Sequence, residues 1–250
     1  MKVEVGEKTA GSVETAAGSV ETAAGSLGRV ASFPFFGSGS EKLDSLLGGG
    51  YRAGTLTEIF GRSNTGKSQL AIQAALEAGR LGHRTLYLDT EGSFRPERLE
   101  QIAFARGWDT KGLLERVVYA RSSTAAEQME AVRRMQDREA TAPCRLVVVD
   151  TLTRNFSVEL PGASNMASRQ GAIDVHLSEM ARDAYINGRA YILTNRVTFG
   201  PTHDVRIGGR TVEQMVNASI ILEREGQKVR ATRADSGRSA QLEMSGAGVA

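Results

Sequence analysis

Gly61, Gly66, Lys67 and Ser68 fall in the spacing G-x-x-x-x-G-K-[ST], within the stretch EIFGRSNTGKSQL from Glu58 to Leu70. Such a loop turns its backbone amides toward phosphate oxygens when a strand precedes it and a helix follows. Both flanks are legible: TLTEIF reads as a strand, and Lys67 to Gly79 as a helix. Glycines let the amides point inward, and the helix start adds positive potential. Lys67 then neutralises the outer phosphates, and the Ser68 hydroxyl can ligate magnesium. Arg62, Ser63, Asn64, Thr65 and Gln69 complete the expected nucleotide contacts, with ATP and Mg2+ as the expected cofactors.

A second acidic position should close another strand at the same sheet edge, and RLVVVD ends there with Asp150. Open parallel sheets bind ligands at the carboxyl ends of their strands, so Asp150 is the expected magnesium carboxylate, acting directly or through water. Hydrolysis also needs a group that orients and deprotonates water. Glu91, just past the strand TLYLD, is the candidate; Asp89, nearer the strand interior, is the second choice.

The elements that must position these groups follow from periodicity. Short apolar runs rich in β-branched or aromatic residues, TLTEIF, TLYLD, RVVYA, RLVVVD and AYILT, suit buried parallel strands. Between them lie helical patterns over Lys67 to Gly79, Pro96 to Arg106, Thr124 to Ala140 and Ser168 to Tyr185. In the last, Ile173, Leu177, Met180 and Ala184 form one apolar face. Alternating strand and helix predicts an α/β fold, a mostly parallel twisted sheet with helices on both faces. SIILE, KVRATR and QLEMS follow with short polar breaks, which predicts an antiparallel extension at one edge.

The chain of 250 residues, 40% hydrophobic, suits one large α/β domain with a tail. A formal charge of +2 gives no global positive field, so nucleic-acid contact would come from local clusters. The single cysteine, Cys144, sits in an apolar run and reads as a buried thiol. No apolar stretch is long enough for a membrane span, and a soluble, cytoplasmic protein is expected. Residues 1 to 37 carry the tandem repeat ETAAGSV, ETAAGSL and few large apolar side chains. A low-complexity tail or linker is expected there, ahead of an ATPase domain over 38 to 250. A short helix is expected around Glu41 to Leu47, with a glycine-rich stop after it.

The combination GSEKLDSLLGGG, FGRSNTGKSQLA, LYLDTEGSFRPERLEQIA and LVVVDTLTRNF resembles the core ATPase domain of the RecA-like strand-exchange recombinases, archaeal RadA and RadB and their eukaryotic relatives. The string DTEGSFRPERL separates it from the KaiC group, which shares the loop spacing. The resemblance implies that Glu91 is the catalytic glutamate, that Arg98 stacks on the adenine, and that Asp235 caps the nucleotide of a neighbouring protomer. The family usually has a proline two residues after that aspartate, and here Gly237 takes its place. It further implies two DNA-binding loops, Glu159 to Gln170 with Arg169, and Thr198 to Arg210 with the pair Gly208 and Gly209. Arg196, Arg206 and Arg210 are the candidate phosphate contacts.

Where the family commonly has Asn-Gln after the strand AYILT, this chain has Asn195 followed by Arg196. In RadA a Phe-x-x-Ala motif docks on the next protomer; here Val-Glu-Thr-Ala occurs at Val13 to Ala16 and Val20 to Ala23. These departures favour a RadB-type paralogue that binds single-stranded DNA, hydrolyses ATP slowly and assists a main recombinase, or self-associates through its ATPase interface. The alternatives are a filament-forming RadA-type core and a KaiC-like interaction module without DNA binding.

Overall fold

The computed structural model describes residues 13–15, 18–20, 22–136, 144–199 and 204–250. The chain divides into two compact units, Met1–Pro34 and Phe35–Ala250. In the first, β1 (Val13–Thr15) pairs antiparallel with β2 (Gly18–Val20), and α1 spans Ala23–Ser32. Composition alone predicts no element there. The local signal is Thr22, whose Oγ1 accepts a hydrogen bond from the Gly25 amide at 3.1 Å and so caps the helix. The two Val-Glu-Thr-Ala segments each include a residue, Ala16 or Glu21, outside the described residues.

In the second unit the chain runs through β3 (Phe35–Phe36), α2 (Glu41–Leu47), β4 (Tyr51–Arg52), β5 (Leu56–Gly61), α3 (Lys67–Arg80) and β6 (Arg84–Asp89). It continues through α4 (Pro96–Ala105), α5 (Thr110–Leu114), β7 (Val117–Arg121), α6 (Ala125–Gln136) and β8 (Cys144–Asp150). Then come α7 (Arg154–Glu159), α8 (Met166–Asn187), β9 (Ala190–Asn195), β10 (Val197–Phe199), β11 (Asp204–Arg206) and α9 (Gly209–Met215). The chain closes with β12 (Ala218–Glu225), β13 (Lys228–Arg233), β14 (Ser239–Ser245) and β15 (Gly248–Val249).

Nine strands form one sheet in the order β15-β14-β13-β12-β5-β9-β8-β6-β7. From β12 to β7 every pairing is parallel, and from β12 to β15 every pairing is antiparallel, as the sequence predicts. Parallel pairing aligns the carboxyl ends of β5, β6, β8 and β9 along one edge, where the motif residues lie. The five expected strands and the helix over Glu41–Leu47 occur where periodicity places them. The last residues of the expected helix Thr124 to Ala140 lie outside the described residues.

Ile173, Leu177, Met180 and Ala184 of α8 are fully buried against Leu56, Val147, Val149 and Leu193. This is the apolar face that the three- and four-residue spacing marks. Cys144 is buried, and burial pushes its thiol up from its ordinary value, so it stays protonated.

Candidate nucleotide and nucleic-acid site

The phosphate loop joins β5 to α3, and its shape depends on two glycines. Gly61 has φ +156°, and a β-carbon there would lie 2.3 Å from the Leu222 carbonyl oxygen of β12. Gly66, the N-cap of α3, has φ +94°, and its β-carbon would lie 2.1 Å from Met244 Cε. Asn64 between them also takes positive φ, at 63°. Arg62, Ser63 and Asn64 are exposed, whereas Thr65 is buried and donates from Oγ1 to the Arg62 carbonyl at 2.9 Å. Lys67 Nζ folds back over the loop, donating to the carbonyls of Gly61 at 2.9 Å and Arg62 at 2.7 Å. Burial lowers the Lys67 ammonium pKa; Asp150 and Glu91 oppose this, and Arg196 adds to it.

Glycine backbone, a 14-residue helix beginning at Lys67 and the lysine together fit a polyphosphate. Ser68 occupies the first turn of α3. Asp150, at the end of β8, is buried and accepts from Tyr87 Oη at 2.7 Å and from Thr194 Oγ1. Burial and the Asp150 charge hold the Tyr87 phenol un-ionised, so it remains a donor. Ser68 and Asp150 are the oxygen donors that suit magnesium beside a phosphate.

The ends of β6 and β8 are laced together. Thr90 N donates to the Asp150 carbonyl at 2.8 Å, Thr90 Oγ1 to the Thr151 carbonyl at 2.8 Å, and Thr151 N to Thr90 Oγ1 at 2.8 Å. Glu91 is thereby set beside Thr151, whose Oγ1 donates to Glu91 Oε1 at 2.7 Å, and its other oxygen meets Arg196 Nη2 at 2.5 Å. Burial alone would raise the Glu91 carboxyl; hydrogen bonds from Arg196 and Thr151, with the charges of Arg196 and Arg154, hold it below its ordinary value. It is therefore ionised at neutral pH, as a base must be.

Asp89, the second choice for that role, is occupied otherwise. Its Oδ1 accepts the amides of Glu91 at 2.9 Å and Gly92 at 2.8 Å, and its Oδ2 accepts that of Phe94 at 3.2 Å. Tyr119 Oη and Arg121 Nη1 also reach it, at 3.3 and 3.4 Å. Asp89 folds the loop that presents Glu91, so it positions the site and does not face it.

Arg98 on α4 is fixed from three sides. Its Nε donates to Gln69 Oε1 at 2.8 Å, Nη1 to Gln101 and to the Gly246 carbonyl at 2.9 Å, and Nη2 to the Ser245 carbonyl at 2.8 Å. The guanidinium plane is set between α3 and the β14 to β15 turn, beside Gln69 of the phosphate-loop helix. Asp235 lies in the exposed turn after β13, where Arg233 Nε donates to both its oxygens at 2.9 and 3.1 Å.

The candidate DNA arginines divide. Arg169 of α8 donates from Nη1 to the carbonyls of Leu160 at 2.5 Å and Gly162 at 3.4 Å, bracing the first loop. Arg196 is taken by Glu91. Arg206 turns inward, pairing with Glu58 Oε2 at 2.7 Å and lying 4.3 Å over the Phe60 ring. Arg210, in the first turn of α9, is exposed. The second loop forms the β10 to β11 hairpin, whose residues 200–203 lie outside the described residues. Gly208, with φ +88°, starts α9, and a β-carbon there would lie 2.5 Å from Val212 Cγ2.

Sequence reasoning missed Asn195, which ties the hairpin to the sheet edge. Its Nδ2 donates to Glu58 Oε1 and to the Ile207 carbonyl, each at 2.8 Å, and its Oδ1 accepts from Thr153 Oγ1 at 2.7 Å. Its place at a strand end, among the other motif residues, was the available signal.

A doubly covered, mostly parallel sheet with this loop and these strand-end carboxylates defines a RecA-like P-loop ATPase core. Residues 34–230 match the family described as Rad51, and the chain belongs to that family. It is 36% identical over 208 residues to the DNA repair and recombination protein RadA of Ignicoccus hospitalis, an alignment covering 79% of this chain and 62% of that one. It is 37% identical over 187 residues to the protein of the same name from Metallosphaera sedula, covering 70% of this chain and 58% of that one. The chain thus spans about three fifths of the length of these relatives. Among the described residues, no helix is long and apolar enough to cross a membrane.

Proposed function

We propose that this chain is a cytoplasmic, magnesium-dependent ATPase of homologous recombination and DNA repair, with its ATPase domain over 38–250, that binds single-stranded DNA. The observation carrying this reading is the convergence of Lys67, Glu91 and Arg196 beside Asp150 at one sheet edge, directly under the β10 to β11 hairpin. Lys67 and the loop amides hold the phosphates, Ser68 and Asp150 supply metal-ligating oxygens, and Arg98 is set against the base. Bound magnesium supplies charge neutralisation at the phosphates. Glu91, held by Thr151, orients the attacking water and takes its proton.

We further propose a RadB-type role: slow turnover, assisting a main recombinase or self-associating through the ATPase face. Supporting this are Arg196 in place of the usual glutamine and the inward engagement of Arg169 and Arg206, which leaves fewer cations for a DNA strand. Fluorescence polarisation of a labelled single-stranded oligonucleotide at low salt, with and without ATP, tests the DNA reading. Binding that strengthens with ATP supports it; no binding at all would favour a nucleotide-gated interaction module. ATP-dependent filaments on DNA in electron micrographs would instead assign the filament-forming recombinase role.

A further inference from the structure

Arg196 and Glu91 are not near each other in sequence, yet they make a 2.5 Å ion pair beside the phosphate loop. The backbone of Arg196 is fixed: its amide donates to Asn195 Oδ1 at 2.9 Å, and its carbonyl accepts from Ile207 N at 3.0 Å. Its side chain is 47% exposed and free to swing about that anchor. Glu91 keeps a second hold, the Thr151 hydroxyl at 2.7 Å on its other oxygen, so it stays in place without the arginine. The Arg196 charge also reaches Lys67, where it helps to lower the ammonium pKa. Two cations within mutual range flank the place where a terminal phosphate meets Lys67.

We propose that Arg196 is shared between two anions, the Glu91 carboxylate and the terminal phosphate of a bound nucleoside triphosphate, which draws the guanidinium away and frees Glu91. This rests on the nucleotide-binding reading given above. A planar guanidinium binds carboxylate and phosphate in the same forked geometry, so exchange between them needs a side-chain rotation and no new partner type. A triphosphate presents more negative charge than one carboxylate and also separates Arg196 from Lys67. A diphosphate lacks the terminal group, so with ADP the arginine stays on Glu91. Arg196 is therefore a positioning residue that senses the terminal phosphate and keeps the base paired until that phosphate arrives.

The test is a double-variant cycle on full-length protein, measuring affinities for a non-hydrolysable ATP analogue and for ADP at fixed magnesium. Arg196→Gln should weaken the analogue roughly tenfold and leave ADP unchanged, the size expected for one charge-assisted contact. Glu91→Gln should tighten the analogue by releasing the arginine, and Arg196→Lys should restore part of the loss in Arg196→Gln. In the variant carrying both Gln substitutions, the gain from Glu91→Gln should vanish. An unchanged analogue-to-ADP ratio in Arg196→Gln, or a gain that persists in the double variant, would overturn the proposal, the latter because simple removal of Glu91 repulsion explains it. Failure of the wild type to bind either nucleotide would overturn the nucleotide-binding reading itself, and the proposal with it.

Discussion

The Arg206 guanidinium closes on the Glu58 carboxylate at 2.7 Å, joining the hairpin to the central strand β5. Glu58 is fully buried and the Arg206 side chain is 11% exposed. Ser219 Oγ and Asn195 Nδ2 complete the carboxylate's hydrogen bonds, at 3.1 and 2.8 Å. Removing one partner of a buried pair strands the other charge and costs about 3 to 5 kcal/mol. Arg206→Ala should therefore lower the urea midpoint substantially, whether or not DNA is present. Loss of DNA affinity at unchanged stability would return Arg206 to the role of a phosphate contact.

Lys67 and Glu91 should separate binding from turnover. Lys67→Ala removes the cation that meets the outer phosphates, and titration with a fluorescent ATP analogue should show binding lost. Glu91→Gln should bind the analogue but turn over about a hundredfold or more slowly, the contribution of a positioned base. Retained hydrolysis in that variant would remove Glu91 from the base role.

Arg210 is the exposed candidate for a DNA phosphate. Arg210→Ala should reduce the slope of log affinity against log salt by about 0.7 on single-stranded DNA, the value for one phosphate contact. Arg134→Ala, which removes an exposed arginine of α6 outside both loops, should leave the slope unchanged. Equal effects of the two would indicate diffuse attraction without a specific grip.

His176 gives the fold a sensitivity to acid. It is fully buried on α8, its ring lies 5.8 Å from that of Phe156, and neither ring nitrogen has a hydrogen-bond partner. Burial first, then the Arg133 charge, lowers its pKa from 6.5 to about 4. The unfolded chain thus takes up a proton before the folded one does. Stability is undiminished above pH 6.5 and falls as pH drops toward 4, by about 3 kcal/mol over that window. His176→Phe should flatten this part of the urea midpoint against pH profile; an unchanged profile would acquit the histidine.

The sheet was legible because buried parallel strands read as short apolar runs, and α8 because four apolar residues recur on one face. The phosphate loop was legible because its function resides in backbone and spacing. Short helices such as α7 and α9 were not, since six or seven residues inside a loop carry no periodic signal. Asp89 was read as a candidate base because sequence cannot show that its carboxylate is filled by amides two to five residues on. Arg206 was read as a DNA contact because its partner, Glu58, lies 148 residues away. A loop arginine and a buried strut look alike until the fold brings the carboxylate beneath.

The central claim is that one sheet edge couples ATP hydrolysis to a DNA strand, and steady-state ATP turnover with and without single-stranded DNA tests it most directly. The account predicts slow magnesium-dependent turnover by the wild type that changes on addition of DNA, and none by Lys67→Ala. Turnover identical in the presence and absence of DNA at low salt, or no turnover under any condition, would contradict it.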